Sequence, residues 1–412
     1  MSKRSLMLFA LMLSGGSIYN LSNMHENFEP IMLETLELTD KQFGDLRAML
    51  GVVMMLCYFP GGWLADRFST RNLITISLVS TGLSGIYMAT IPSMENTYWP
   101  LFALHIFWGV STIMTFWAAL IKATQVWGRD KQGMAFGILE SGKGVVRIVC
   151  AMFGIWIYAE VGEGARGLTY AIMVQTSVCL IAAVFAWCFI LDDDSSEHKT
   201  SNNLAEMLKV VRLPSVWLMS VIVFCSYYSM WGTYNFPKYA VDGFEMDKVT
   251  AAYTSTIGTW VRCFVAICAG FLADKLGIRR IVILSSILAA AGFAVFAFGP
   301  VGKDLAYFLV INCVIISIGI YSIHGVYYAL MKGSHIPGHL VGAAVGIISF
   351  LGYTPDIFAP LVKGHLLNHF PDTPLVAHRY YFLTCVLAGL AGAVATVILG
   401  KVQKRSGKSY DT

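Results

Sequence analysis

Apolar runs of roughly 20 residues recur along this chain about twelve times, each long enough to cross a hydrocarbon layer of ~30 Å. They lie near 5–24, 46–65, 72–91, 99–121, 133–158, 168–191, 214–236, 250–273, 280–299, 305–330, 341–362 and 377–400. Little chain is left for anything but short loops. Lipid offers no hydrogen-bond partners, so each run must satisfy its own backbone groups, and helices are predicted throughout. Composition agrees with this reading. Charged residues make up 13% of the 412, about half the ~25% of soluble proteins, and hydrophobic residues 56%. A water-soluble fold of that composition would have no means of covering its surface, which excludes a soluble enzyme.

One segment breaks the pattern. Residues 192–212, which carry DDDSSEHK, form the only sustained polar stretch and divide the runs six and six. The predicted organisation is a first half over 1–191, a linker over 192–212 and a second half over 213–412. The opening MSKRSLMLFALMLSGGSIYN has the basic flank of a signal peptide, but no A-x-A cleavage site follows, so it is read as a retained first span. Of the 29 Lys and Arg residues, 18 fall on the side of the N-terminus, eight on the other side and three within spans. By the positive-inside rule both termini and the linker are cytoplasmic, in a plasma membrane of the bacterial inner-membrane type. A net charge of +4 without a basic tract excludes a nucleic-acid partner. The nine cysteines show no CxxC spacing, and no metal or other cofactor is expected. HExxH, GxSxG and Walker patterns are absent, so no enzyme activity is expected either.

An internal repeat gives the halves a common plan. Gly62-Trp-Leu-Ala-Asp66-Arg67-Phe-Ser-Thr-Arg71 follows the second run, and Gly270-Phe-Leu-Ala-Asp274-Lys275-Leu-Gly-Ile-Arg279 follows the eighth, 208 residues later. Gly137-Ile-Leu and Gly346-Ile-Ile match at an offset of 209. Two independent pairs at nearly one offset argue for parallel six-span halves, with substrate bound between them near mid-membrane.

These loops resemble the signature loop of the major facilitator superfamily, over essentially the whole chain. The resemblance implies an all-α membrane protein of twelve transmembrane helices in two pseudo-symmetric six-helix halves, working by alternating access. Gly15-Gly-Ser-Ile-Tyr19, Phe116-Trp117 with Lys122, Gly137-x-x-Glu140-Ser-Gly-Lys143-Gly and Ser349-Phe-Leu-Gly-Tyr-Thr-Pro355 are similar to the YihN-like inner-membrane proteins, near the organic anion and phosphate ester transporters. The usual glycine of the first loop is replaced by Ser69 or Thr70, which is expected to loosen that turn.

Charges at membrane depth cost several kcal/mol unless they are paired or face water. Five are expected there: Glu140, Lys143, Arg147, Arg262 and Asp356. Lys143 lies twelve residues from Lys131, and Arg262 twelve from Asp274, placing both ~18 Å along their helices, one in each half. Two such cations suit an anionic substrate, the guanidinium binding it in a bidentate manner; each also fits a plain pair with a buried acid. Glu140 at i to Lys143 at i+3 is read either as an ordinary intrahelical pair or as a proton-coupling carboxylate. Arg147 and Asp356 correspond by the 209 offset, and the resemblance sets their spans side by side, so a gating pair is expected. Further gating residues are Asp66, Arg67, Arg71, Asp274, Lys275 and Arg279, making contacts formed in one state and broken in another. Tyr19, Trp117 and Tyr227 are expected to line the substrate path. His324 is read as a packing residue, and His365, His369 and His378 as solvated in an outer loop.

The leading expectation is a secondary transporter, acting as a monomer in the lipid bilayer, for a small organic anion: a sugar acid, a sulfonate or a phosphate ester, as a symporter with H+ if coupled. An exporter of amphipathic or cationic compounds is the alternative within transport. A non-transporting membrane sensor is the alternative of another class, and would be expected to carry an added soluble domain.

Overall fold

The computed structural model describes residues 3–127, 132–191, 211–333 and 341–405, and among them there are helices and turns but no strand. Two compact units form: Met1–His198 with Asp247–Thr259, and Lys199–Met246 with Trp260–Thr412.

The first unit contains α1 (Lys3–Ser17), α2 (His25–Thr35), α3 (Asp40–Arg67), α4 (Thr70–Met88), α5 (Tyr98–Gly109), a π-helical stretch (Val110–Trp117), α6 (Ala118–Trp127), α7 (Gln132–Val161) and α8 (Ala165–Phe189). A capping box starts α3: Thr39 Oγ1 accepts from Gln42 N, and Gln42 Oε1 accepts from Thr39 N, satisfying two end groups at once. The second unit contains α9 (Pro214–Thr233), α10 (Phe236–Phe244), most of α11 (Lys248–Leu276), α12 (Ile278–Phe298), α13 (Ala306–Val326), α14 (Val341–Gly352), α15 (Pro355–His369) and α16 (Pro374–Arg405). Proline opens α9, α15 and α16, where its fixed φ suits the first turn and its missing N–H is no loss.

Packing follows the same scheme in both units. In the first, α1 lies against α7 and α8, and α4 against α8; in the second, α9 lies against α14 and α16, and α12 against α16. The helix α4 begins at Thr70 and α12 at Ile278, matching the 208-residue offset of the loops before them. Close crossings rest on glycine. A Cβ on Gly16 would sit 2.6 Å from Val146 Cβ, and one on Gly352 2.8 Å from Val223 Cβ, so α1 meets α7 and α9 meets α14 nearly backbone to backbone.

Eight helical stretches among the described residues are long and apolar enough to cross a membrane. Their outer faces are apolar where water would demand polarity: Ile76, Val79, Leu83 and Ile86 run down α4, and Leu387, Leu390, Val394 and Val397 down α16, all exposed. The four other predicted runs take different forms. The first stops at Ser17, after ~22 Å of helix, and the chain turns through residues 18–24 into α2. The eleventh breaks at Tyr353 and Thr354 between α14 and α15. The second and eighth are the continuous helices α3 and α11.

The start of α11 packs within the first unit, where Ala252 joins the cluster of Phe28, Leu46, Trp108 and Tyr158. Lys248 pairs with Glu34, and Ser255 Oγ donates to Asn27 Oδ1 at 2.5 Å. His378 is not in a solvated loop: it lies in α16, 1% exposed, with Nε2 donating to Asp242 Oδ2 at 2.8 Å and Nδ1 accepting from Asn235 Nδ2 at 2.9 Å.

Candidate functional site

Helix α7 separates its charges from its lipid face. Val145, Val149, Met152 and Trp156 form an exposed apolar stripe. At 100° per residue, Lys143 points ~180° away from Met152, and Glu140 and Arg147 lie within ~60° of Lys143. Lys143 Nζ meets Glu140 Oε1 at 2.7 Å, with the lysine side chain 14% exposed and the glutamate 46%. The ammonium also lies 5.4 Å over the Trp117 ring, and its stem crosses Gly15, where a Cβ would come within 2.9 Å of Lys143 Cδ.

Trp117 reaches that position at the end of the π-helical stretch. Wide turns of this kind leave carbonyls poorly matched, and here side chains occupy them. Ser111 O accepts from Ser77 Oγ at 2.5 Å and from Thr115 Oγ1 at 2.7 Å, while Thr112 O accepts from Tyr19 OH at 3.3 Å. Tyr19 thereby braces the stretch that presents Trp117, with its ring edge-on to Phe116.

Arg147 takes a partner that the sequence did not single out. Its guanidinium donates to Glu26 Oε1 at 2.5 Å, with Glu26 in the first turn of α2, where the helix dipole favours a carboxylate. Asn20, Asn23, Asn27 and Gln175 line a small polar pocket around Arg147. Arg47, near the start of α3, is buried, donating to Ser22 O and, at 3.2 Å, to Asn23 Oδ1. Glu29 and Lys363 are buried as well, and neither is among the five charges expected at membrane depth.

In the second unit, Arg262 is exposed and its guanidinium lies 5.7 Å from the Tyr321 ring centroid. Phe264 and Phe271 on the same helix are 67% and 68% exposed and mark its apolar side. Two residues along a helix is a rotation of ~200°, and nine is ~180°, so Arg262 points away from both. Asp356, in the first turn of α15, accepts from Trp231 Nε1 at 3.0 Å and Tyr227 OH at 3.4 Å. The Tyr227 ring lies 4.9 Å from Tyr353 and 6.2 Å from His324.

Three of the signature-loop cations rest on an aromatic face or a neighbouring helix. Arg67 lies 4.1 Å over Trp63 and Arg71 5.0 Å over Trp187. Arg279 crosses Gly400, where a Cβ would fall 2.5 Å from a guanidinium nitrogen, and Lys275 is exposed. Lys122 Nζ donates to Ala65 O at 2.9 Å, tying α6 to the end of α3. The side chains of Asp66 and Asp274 lie outside the described residues. Ser69 does not loosen its turn: its hydroxyl caps α4 by accepting from Asn72 N at 3.2 Å.

The sequence profile of the Major Facilitator Superfamily matches residues 7–360. Two curated relatives come from Escherichia coli (strain K12). Inner membrane protein YqcE is 25% identical, covering 90% of this chain and 88% of its own. Inner membrane protein YihN is 24% identical, covering 97% and 96%. Among solved structures, a bacterial homologue of the human lysosomal transporter Spinster, inward-facing and occupied, superposes with a TM-score of 0.75 over 99% of this chain and 97% of its own, at 14% identity.

Proposed function

This chain belongs to the Major Facilitator Superfamily, membrane transporters that move small molecules rather than enzymes, and we propose that its substrate is a small organic anion carried by alternating access. A sugar acid, a sulfonate or a phosphate ester fits this reading. The observation that carries it is the exposure of Arg262 on the side of α11 opposite Phe264 and Phe271. A guanidinium facing hydrocarbon at that depth costs several kcal/mol, so its side of the helix is the watered one. With one face against the Tyr321 ring, the N–H edge suits a planar or tetrahedral oxyanion. Lys143 supports the same reading from the first unit, turned from the apolar stripe of α7. Tyr19, Trp117 and Tyr227 are proposed to line the path, and Glu140 to take up a proton as an anion draws Lys143 away. The signature-loop charges, with Arg147 and Asp356, are proposed to bias the conformational equilibrium.

Inner-membrane placement agrees with the two Escherichia coli relatives. Cytoplasmic termini and a monomeric unit complete the proposal, on the Lys and Arg bias and the presence of both halves in one chain. The test is uptake of radiolabelled organic anions into proteoliposomes. Arg262→Gln should abolish it and Arg262→Lys leave a fraction; unchanged uptake in Arg262→Gln removes Arg262 from the site, and preferred uptake of organic cations overturns the anion reading.

A further inference from the structure

Asp356 is an odd residue for a path that carries anions, because a carboxylate repels them. Its surroundings suggest what it does. One oxygen accepts from Trp231 Nε1 at 3.0 Å and the other from Tyr227 OH at 3.4 Å, so two neutral donors on α9 fix the carboxylate plane. A carboxylate has about four acceptor positions, and a phenol that donates through its hydrogen keeps its lone pairs for a second partner. Next to the Tyr227 ring is Tyr353, whose hydroxyl lies 3.3 Å from Tyr328 OH, itself 2.8 Å from Ser349 Oγ. These hydroxyls donate and accept alike. His324 and Tyr321 continue this wall, with ring centroids 6.3 Å apart, to Arg262. Within one unit, a cation at one end is thus joined by aromatic rings to a run of hydroxyl and carboxylate oxygens at the other.

We propose that this wall reads hydroxyl groups, making the substrate a polyhydroxylated anion of the sugar-acid type with its charged end at Arg262 and its hydroxyls at Asp356, Tyr227 and Tyr353. The inference rests on the anion reading above and narrows it. A ligand hydroxyl donates to Asp356 and accepts from a phenol, while the apolar face of a sugar-like chain covers the rings. A second negative charge at that end would meet the Asp356 carboxylate and be rejected. An apolar chain would offer these oxygens no hydrogen bond, and sites that hydrogen-bond a ligand hydroxyl discriminate strongly against analogues that lack it.

Three probes with one six-carbon skeleton separate the outcomes: gluconate, hexanoate and 6-aminohexanoate. Each is titrated against the purified full-length protein, with ligand-dependent thermal shift giving an apparent Kd. Gluconate should bind at least tenfold more tightly than hexanoate, and Asp356→Asn should weaken gluconate about tenfold while leaving hexanoate unchanged. Tyr227→Phe, which keeps the ring and the Trp231 bond, should weaken gluconate several-fold and serves if the Asp356 variant fails to fold. Equal binding of gluconate and hexanoate overturns the hydroxyl reading while the anion reading stands. Preference for 6-aminohexanoate overturns it in favour of an ammonium at Asp356. No shift with gluconate overturns it too, and if proteoliposomes also take up no organic anion, the anion reading falls with it.

Discussion

Arg147 on α7 donates to Glu26 on α2 across 2.5 Å, with side-chain exposures of 27% and 11%. The pair fixes the turn at residues 18–24 against α7, because α2 can hold Glu26 there only if the chain leaves α1 at Ser17. Removing one partner of a partly buried pair strands the other charge. Glu26→Gln should therefore cost about 1–3 kcal/mol, below the 3–5 of a fully buried pair because Arg147 retains some solvent. The double variant Glu26→Gln with Arg147→Gln should recover part of the loss. Thermal unfolding in detergent measures both, and a double variant less stable than the single one contradicts this account.

The α1–α7 crossing makes a steric prediction. A Cβ on Gly16 would lie 2.6 Å from Val146 Cβ and 2.9 Å from Lys143 O, and neither a branched carbon nor a backbone oxygen can swing aside. Gly16→Ala should destabilise by about 1–3 kcal/mol, as other overpacked crossings do. On Gly62, inside α3, a Cβ would meet nothing within 4 Å, and there alanine should be neutral or stabilising. Comparable unfolding temperatures for the two variants would refute the crossing.

How much of this could be read beforehand depended on whether a feature was local. The charge faces of α7 and α11 follow from 100° periodicity in Glu140, Lys143, Arg147 and Arg262, which needs no knowledge of neighbours. The repeat was legible for the same reason, as spacing along one chain. Glu26 as partner of Arg147 was not, since it depends on a chain reversal that hydropathy does not encode. The burial of Arg47, Lys363 and His378 was not legible either, because it comes from helices packed beside them and not from their place along the chain. The π-helical turns that deliver Trp117 left a faint trace in the hydroxyl-rich run Ser111-Thr112 with Thr115, whose side chains supply bonds the widened turns need.

The two signature loops solve one turn in two ways, and substitution should tell them apart. Gly277 precedes α12 at φ +92°, a conformation open to glycine and costly for other residues, whereas Ser69 precedes α4 at φ −55° and caps it. Gly277→Ala should cost about 1–2 kcal/mol from backbone strain alone. Ser69→Ala should cost about 1 kcal/mol through the lost cap, and Ser69→Asp should retain most of it. Equal loss in Ser69→Ala and Ser69→Asp, read by thermal unfolding, would show that the cap contributes nothing.

Acid should loosen the short helix α10. Asp242 on that helix faces Lys238 at 3.4 Å on its own turn and His378 at 2.8 Å from α16, while Lys363 on α15 acts on the same histidine. Burial pushes the Asp242 carboxyl up, but the His378 hydrogen bond and the Lys238 charge outweigh it and hold the group below the ordinary carboxylate range. A carboxyl with a depressed folded-state pKa stabilises the fold above its unfolded value of about 3.9, and that contribution disappears as pH falls through the folded-state value. At neutral pH, Asp242→Asn should therefore unfold at a lower temperature than the native chain. The gap between the two should be present at neutral pH and close below about pH 4, because the native aspartate is then protonated as well. Other carboxylates titrate in both proteins and cancel in the difference, so a gap that stays constant down to pH 3 would show that Asp242 acts through shape rather than charge.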